Sequence, residues 1–576
     1  MLGLKNVYLY FSSIKRLALR SLKEFFFLTG LYNRSLNSQT PSRLFFQPNP
    51  YLLSPLFNHE SFVFKISKES VYNFWNKSLS TKEKNSIHNF LWLNLIDRKN
   101  EKEIIQKIIK DWINKFNNYK KDIWKENIIP KRIIAWLSNS DIILNNTNKD
   151  FEKKFLSSLI RQVNFIKKNL KTNTYETNKV SSISAIILSG LVFKEYYANY
   201  TNGLRELKKI IENFFDEDGF PKNRNLENLI IFLQYFILIK EWTKNAQENV
   251  PEYLEEIIRK NLICLNSFYN SNKKIPLFNG STERELNSFL EYLEKLNYRT
   301  EKKLSFVGKI QILQNKKMTL YFDSGGPPNY KLSRDYQSGP LSFEYFSDNN
   351  KIITNCGYGR KISKKIRLIS KLTSAQSTLC LNDASVVKFK KNNLINKAYG
   401  STIDESFDVS EMKRDEDKTR VTVSATHNAY LKKFGYLHKR EINFLKKENL
   451  IQGIDTLFKK NDNNNDVNFS IRFHIYPGIE AFQTVGGNDI LLQISKNNSL
   501  IFSSKNQNVQ IEKSLFLGRN KILNNSCIVI YGNTKNQDAN IEWELKKASY
   551  MKNKKINNAL VSVSDKSNME RLLRIL

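Results

Sequence analysis

The sequence predicts an α+β protein: an N-terminal all-α (α/α) toroid of helical hairpins, followed by a C-terminal antiparallel β-sandwich. Three observations predict it. Between about residues 55 and 300, apolar residues recur every three or four positions, the period of an amphipathic helix. After about residue 305 the chain turns to short β-branched and aromatic runs separated by turn residues, with no helices expected between them. The change is marked by the one sizeable Gly/Pro cluster, Gly325-Gly326-Pro327-Pro328, in the stretch from Tyr321 to Gly359. Three segments result: a basic amphipathic lead and irregular stretch over 1–55, a helical domain over 56–305 and a β-sandwich over 306–576.

At 576 residues the chain is too long for one hydrophobic core. Its 40% hydrophobic and 12% aromatic content exclude global disorder. A formal net charge of +35 points either to a polyanionic partner or to a Lys-rich bias spread over every solvated face. Lys runs along the whole length without a dense block, and no DNA- or RNA-binding motif is present, so nucleic acid is set aside as a partner. Cys264, Cys356, Cys380 and Cys527 show no CxxC spacing, so they make neither a zinc pattern nor a disulfide framework. The five histidines, His59, His88, His427, His438 and His474, include no HExxH pair.

The opening MLGLKNVYLYFSSIKRLALRSLKEFFFLTGLY is basic and amphipathic. Lys5, Lys15, Arg16, Arg20 and Lys23 interrupt it, leaving neither a clean signal-peptide core nor a membrane-spanning run. Residues 5–28 read as an interfacial helix on an anionic membrane surface, as a helix packed on the domain, or as a poorly ordered end.

The polar stretch to residue 50, with Pro41, Pro48 and Pro50, is expected to be irregular. Ile87, Phe90, Leu91, Leu93 and Leu95 repeat at helical spacing, as do the apolar residues from Ile104 to Phe116. Pro130 stands where a helix begins, ahead of Ile133, Ile134, Trp136 and Leu137. Further amphipathic segments cover 150–169, 179–197, 202–215, 226–244, 250–270 and 284–296. Short polar links between them favour antiparallel pairs, arranged as a toroid or a solenoid without a fixed repeat period. Trp75, Trp92, Trp112, Trp124 and Trp136 read as core residues or, alternatively, as a sugar-stacking groove. The strand runs are MTLYFDSG, PLSFEYFS, KIITNCG, STLCLND, SVVKFKK, TRVTVSATH, INFLKK, VNFSIRFHIYP, DILLQISK, LIFSSK, VQIEKSLFLG and NSCIVIYG, with turns such as SDNN, KNDNNND and GGND.

In this order, FLWLNLI, DWINKF, RIIAWLS, SLIRQVNFI, SAIILSGLVF, DEDGFPKNRNLENLIIFL and PLFNG, then DSGGPPNYKLSRDYQSGPLSFE, NCGYG, QSTLCLND, ATHNAYLKKFGYLHKREI and IRFHIYPGI, resemble the heparinase II/III-like family of polysaccharide lyases. The resemblance runs from about residue 85 onward. It implies β-elimination at a uronic acid of an acidic polysaccharide. In that chemistry a donor or metal neutralises the uronate carboxylate and stabilises the charge that develops as the C5 proton leaves. A Tyr or His takes the proton, and a Tyr or His protonates the leaving O4. The resemblance also implies a metal held by the sandwich. It implies a cell-envelope location, periplasmic or membrane-associated, with the cytoplasmic face as the alternative.

Carried over residue by residue, the family pattern is incomplete. Where active relatives have a His-x-His before LSFE, this sequence has Asp335 and Gln337. The family's metal-binding Asp is matched by Asn355, a further His by Gln376, and the Tyr of the helical domain would fall near Asn228. Neutral amide oxygens in these positions do not make a zinc site, so no cofactor is expected. Tyr336, His427 and Tyr430 remain as candidates for proton transfer, the last two in THNAY, which matches the family's H-D-G-Y. Substrate-binding candidates are Asn178 as the neutralising amide, Arg224 and Asn225 in the loop after Asp218-Gly219, and Arg334, Asp335, Gln337 and His474. His474 shares a strand face with Arg472, and Asp335 serves as a base or pairs with Arg334. Two functions follow: a lyase on a uronate-containing polysaccharide, or a catalytically degenerate polysaccharide-binding protein of the cell envelope.

Overall fold

The computed structural model describes residues 2–57, 74–76, 79–173, 175–269, 274–390, 393–400, 403–460, 466–484, 486–487, 489–505 and 507–548. His59 and most of the KNDNNND turn lie outside them. The chain divides into two compact units: Met1–Phe215, Asn228–Leu262 and Asn287–Arg299 in one, Asp216–Glu227, Ile263–Leu286 and Thr300–Leu576 in the other.

Helices dominate the first unit. A helix over Leu2–Phe27 precedes Lys102–Phe116, Ile129–Ser138, Lys149–Asn169, Glu176–Val192 and Tyr197–Phe214. Leu226–Asn245, Glu252–Phe268 and Asn287–Lys295 follow, close to the spacing expected from periodicity. Pro130 sits in the first turn of its helix, where its missing N–H breaks no bond. The periodic run from Ile87 to Leu95 is not one helix. Helix Thr81–His88 ends, Phe90 turns left-handed at φ +60°, and Leu91–Leu95 continues as a tighter 3-10 turn. Asn89 holds the break, because its Oδ1 accepts from the Leu91 N–H at 2.8 Å.

Trp92, Trp112, Trp124 and Trp136 are buried, and half-buried Trp75 stacks on His88. Trp112 meets Trp136 edge to face at 5.1 Å, and the buried Arg132 guanidinium lies 4.2 Å over Trp112. These rings pack the helical core, so they do not form the alternative sugar-stacking groove.

The second unit holds two antiparallel sheets. One runs in the order Phe306–Val307, Ile310–Gln314, Met318–Asp323, Phe343–Ser347, Asn350–Thr354, Asn468–Ile475, Leu523–Asn533 and Asn508–Phe516, with Leu379–Leu381 also pairing on Asn468–Ile475. The other runs Glu480–Gln483, Asp489–Ser495, Asn498–Ser504, Ala539–Lys547, Leu450–Lys459, Tyr436–Leu445, Arg420–His427 and Val409–Glu416. Burial alternates residue by residue along Tyr436–Leu445, the mark of a strand with one face on a core. Trp543 closes that core from the second sheet, stacking on Phe343 at 5.4 Å and meeting Phe473 at 4.9 Å.

Sequence reading and structure part company at several further places. SVVKFKK forms no strand: Phe389 makes one isolated bridge to Ile403, and Lys390 is drawn to Asp404 at 2.6 Å. Val409–Glu416 was not legible as a strand, because it is a sheet edge with mostly exposed side chains and so lacks apolar alternation. Helices Lys364–Ile369 and Asn393–Tyr399 interrupt the strands where none were expected.

Candidate functional site

Three loops of the second unit meet at Gly280. It has φ +91°, and a Cβ there would stand 2.8 Å from Asp335 Cβ and 3.0 Å from Asn225 Nδ2. Its N–H donates to Gln337 Oε1 at 2.9 Å. The structure thereby brings Asn225, Asp335 and Gln337 together from distant parts of the chain.

Gln337 is buried and its amide is fully used, because Nε2 also donates to the carbonyls of Gly357 (3.1 Å) and Ser370 (2.8 Å). Asn355 Oδ1 accepts from the Ser377 N–H at 2.9 Å, and Gln376 Nε2 donates to the Ser370 carbonyl at 3.0 Å. Two of the amide oxygens that would face a cation are already hydrogen-bonded to backbone N–H groups. Among the described residues, no three His, Cys, Asp or Glu side chains converge as a metal-binding group. The residues in these positions do not fit the metal that the family resemblance implies.

Asp335 leads from this junction toward the surface. The Tyr358 hydroxyl donates to its Oδ1 at 2.8 Å, and Arg360 Nη1 lies 3.7 Å from its Oδ2. Arg334 instead aims Nε and Nη2 at the Tyr399 carbonyl, at 3.3 and 3.1 Å, and acts on Asp335 through its charge. Lys371 is fully buried and donates to the Arg334 carbonyl at 2.6 Å. Burial pushes the Asp335 carboxyl up, but Arg360, Tyr358, Lys371 and Arg334 outweigh it and hold it below the usual value. Burial, then the Asp335 charge, pushes Tyr358 up, so its phenol keeps its proton at neutral pH and serves as a donor. Burial pulls Lys371 from its ordinary 10.5 down to about 7, against the pull of Asp335.

The Lys371 shift has a measurable sign. Between about 7 and 10.5 the unfolded chain binds the proton that the folded chain has released. Stability from this group therefore rises as pH rises through that window. In urea melts, the native protein should gain stability relative to Lys371→Met on moving from about pH 7 to about pH 9. An unchanged difference would contradict the shift.

The other candidates are placed as follows. Arg224, at φ +62°, is buried; Nε donates to the Gly308 carbonyl (3.1 Å), Nη1 to those of Gly325 (3.1 Å) and Gly326 (3.0 Å), and Nη2 to Asp323. A Cβ at Gly325 would stand 2.5 Å from its Cζ, so glycine is what admits the guanidinium. Tyr336 is buried against Val387, Ile403 and Phe407, with no hydrogen-bond partner for its hydroxyl among the described residues. Tyr430 is buried and donates to the Leu379 carbonyl at 3.0 Å.

His427 Nδ1 accepts from the Ala429 N–H (3.2 Å), which leaves the proton on Nε2 to be donated to His438 Nδ1 (3.1 Å). His438 Nε2 then donates to Asp455 Oδ1 at 2.7 Å. Burial lowers both rings' basicity, so each is neutral. His474 is buried between Ser514 Oγ (2.8 Å) and the Ser374 carbonyl (3.1 Å), and burial pulls it down to about 3. Asn178 is half-buried near the start of helix Glu176–Val192, in the helical unit.

Tyr358, Arg360 and Lys371 were not singled out from the sequence. The signal was present: the twelve residues RKISKKIRLISK, from Arg360 to Lys371, hold six basic residues and no acidic one. They are a dense basic block, which corrects the expectation that Lys is spread without one. Arg360, Lys361, Lys364 and Lys365 are exposed, and Arg367 is half-buried.

Comparison with known proteins agrees with this architecture. The model of the family described as heparinase II/III-like, C-terminal, matches residues 301–544. No curated protein matches the chain. Among solved structures, a mutant of heparan sulfate lyase HepC from Pedobacter heparinus is similar at 14% identity and a TM-score of 0.63, covering 87% of this chain and 83% of that one. A heparinase III is similar at 14% identity and a TM-score of 0.65, covering 90% and 88%. At such identities the likeness is one of fold: helical toroid and β-sandwich. The matched stretch, with its two antiparallel sheets, is therefore similar to the heparinase II/III-like C-terminal domain.

Proposed function

We propose that this protein binds an acidic polysaccharide on the heparinase II/III-like scaffold and does not cleave it. The observation that carries the reading is the exposed basic ledge Arg360–Lys365, which adjoins the Asp335–Tyr358 pair. Such a ledge attracts a sulfated or uronate polymer through charge, and salt weakens that attraction. Three further features support binding over β-elimination. Tyr336, His427 and Tyr430 are all buried away from a polymer. Tyr358 keeps its proton and so is a poor base. Asp335 is an anion where a substrate carboxylate would have to approach, which opposes the reactive geometry.

Binding of heparin and of alginate, followed by calorimetry, tests this reading. Replacing Lys361, Lys364 and Lys365 together with alanine should weaken affinity by about tenfold and flatten its salt dependence, since each exposed charge contributes only a few tenths to one kcal/mol. Unchanged affinity in that triple variant would remove the ledge from the reading. Release of an ultraviolet-absorbing unsaturated uronate from any polymer would establish cleavage instead.

A further inference from the structure

The helix Leu2–Phe27 wears its apolar face outward. Its inward stripe is Leu9, Ser13, Leu17 and Phe27, with Leu9 and Ser13 buried. Phe27 packs on Tyr32 at 4.5 Å and on Tyr119 at 5.1 Å, and Glu24 pairs with Lys121 at 2.8 Å. The opposite stripe is Val7, Phe11, Ile14, Ala18, Leu22 and Phe25, each three or four residues from the last, and all six are exposed. Val7 is 53%, Phe11 65%, Leu22 66% and Phe25 74% exposed. Of the nineteen exposed large hydrophobic residues among those described, eleven fall between Val7 and Leu31. A surface helix held only by its own domain would place polar residues there. From Val7 to Phe25 the stripe is about 27 Å long, beyond the scattered exposure normal for a surface.

Charge decides what covers this face. Lys15 and Lys23 lie to one side of it, residues 7–23 contain no acidic side chain, and the one nearby acid, Glu24, is already paired. The whole chain carries +35, which opposes apposition of a second copy and favours an anionic plane. No described helix is long and apolar enough to cross a membrane. We infer that the helix Leu2–Phe27 lies in the interface of an anionic lipid bilayer, with Val7, Phe11, Ile14, Ala18, Leu22 and Phe25 among the acyl chains and Lys15 and Lys23 at the headgroups. This placement is independent of the polysaccharide reading.

Co-sedimentation of the full chain with vesicles tests it. The protein should pellet with phosphatidylcholine vesicles containing about 30% phosphatidylglycerol, pellet little with phosphatidylcholine alone, and bind less as salt rises. The triple variant Phe11→Asp, Leu22→Asp and Phe25→Asp should lower partitioning at least about a hundredfold while keeping the native circular dichroism. The exposed pair Lys15→Glu and Lys23→Glu should abolish the preference for anionic vesicles without disturbing the fold. Three outcomes overturn the inference. The wild type could fail to pellet; the aspartate variant could pellet like the wild type, which assigns adsorption to lysines elsewhere. Light scattering could instead show a dimer that the aspartates dissociate, which assigns the face to a second copy.

Discussion

Asp455→Ala lowers the stability of the β-sandwich by about 3–5 kcal/mol, the cost of leaving a buried cation without its partner. Asp455 is wholly buried and accepts four bonds. Oδ1 takes Arg440 Nε (2.8 Å) and His438 Nε2 (2.7 Å); Oδ2 takes Arg440 Nη2 (3.0 Å) and Trp543 Nε1 (2.9 Å). Arg440 Nη1 continues to the carbonyls of Leu341 (2.8 Å) and Ser377 (2.9 Å). Removing the carboxylate strands the Arg440 charge in the core and unfastens the His427–His438 chain with it. Burial pushes Asp455 up, but Arg440 and His438 outweigh it and hold it well below the usual carboxylate value. Its contribution is therefore present above the ordinary carboxyl range and lost as pH falls below about 4. Urea denaturation at neutral pH and near pH 3 measures both statements. A variant as stable as the wild type at neutral pH would show that the network does not carry the load assigned to it.

Arg224→Ala also costs about 3–5 kcal/mol, for the same reason inverted: buried Asp323 loses its countercharge, and the carbonyls of Gly308, Gly325 and half-buried Gly326 lose their donor. Arg224→Lys should rescue little, because one ammonium cannot span a carboxylate and three carbonyls. From the sequence, Arg224 was a ligand-binding candidate. The two roles separate in one experiment, in which denaturation midpoint and heparin affinity are measured on the same variant. A large fall in midpoint with native affinity in the folded fraction assigns Arg224 to holding its loop. A native midpoint with weakened affinity returns it to the ligand.

Much of the architecture was legible because its causes are local. The helices Lys102–Phe116 and Tyr197–Phe214 bury one stripe each, and the stripe's period is written in consecutive residues. Phe90 shows the limit, since its apolar neighbours kept the helical period while Asn89 capped a new turn. SVVKFKK shows another: its β-branched residues suit a strand, but among its described residues only Phe389 makes a β-bridge.

The candidate site was less legible. Asp335 and Gln337 were marked by what they replace, yet their neighbours Tyr358 and Lys371 gained meaning only from position. Lys371 differs from the other lysines of its run because it is buried against the Arg334 carbonyl, and that burial lowers its basicity. His427 and Tyr430 looked reactive by type, but the tautomer chain to Asp455 and the bond to Leu379 use the atoms that chemistry would need.

The sequence by itself determined the division into helices then strands, the amphipathic character of the first helix, and the amide side chains at Gln337, Asn355 and Gln376. Each is a property of composition or of spacing over a few turns. Only the tertiary structure decided which polar side chains are spent inside the protein and which remain at its surface. Arg224 meets the carbonyl of Gly325 across 101 residues of chain, and His474 meets that of Ser374 across 100. Burial and hydrogen-bond partners are set by such distant pairings, and they fix whether an arginine binds a ligand or its own backbone.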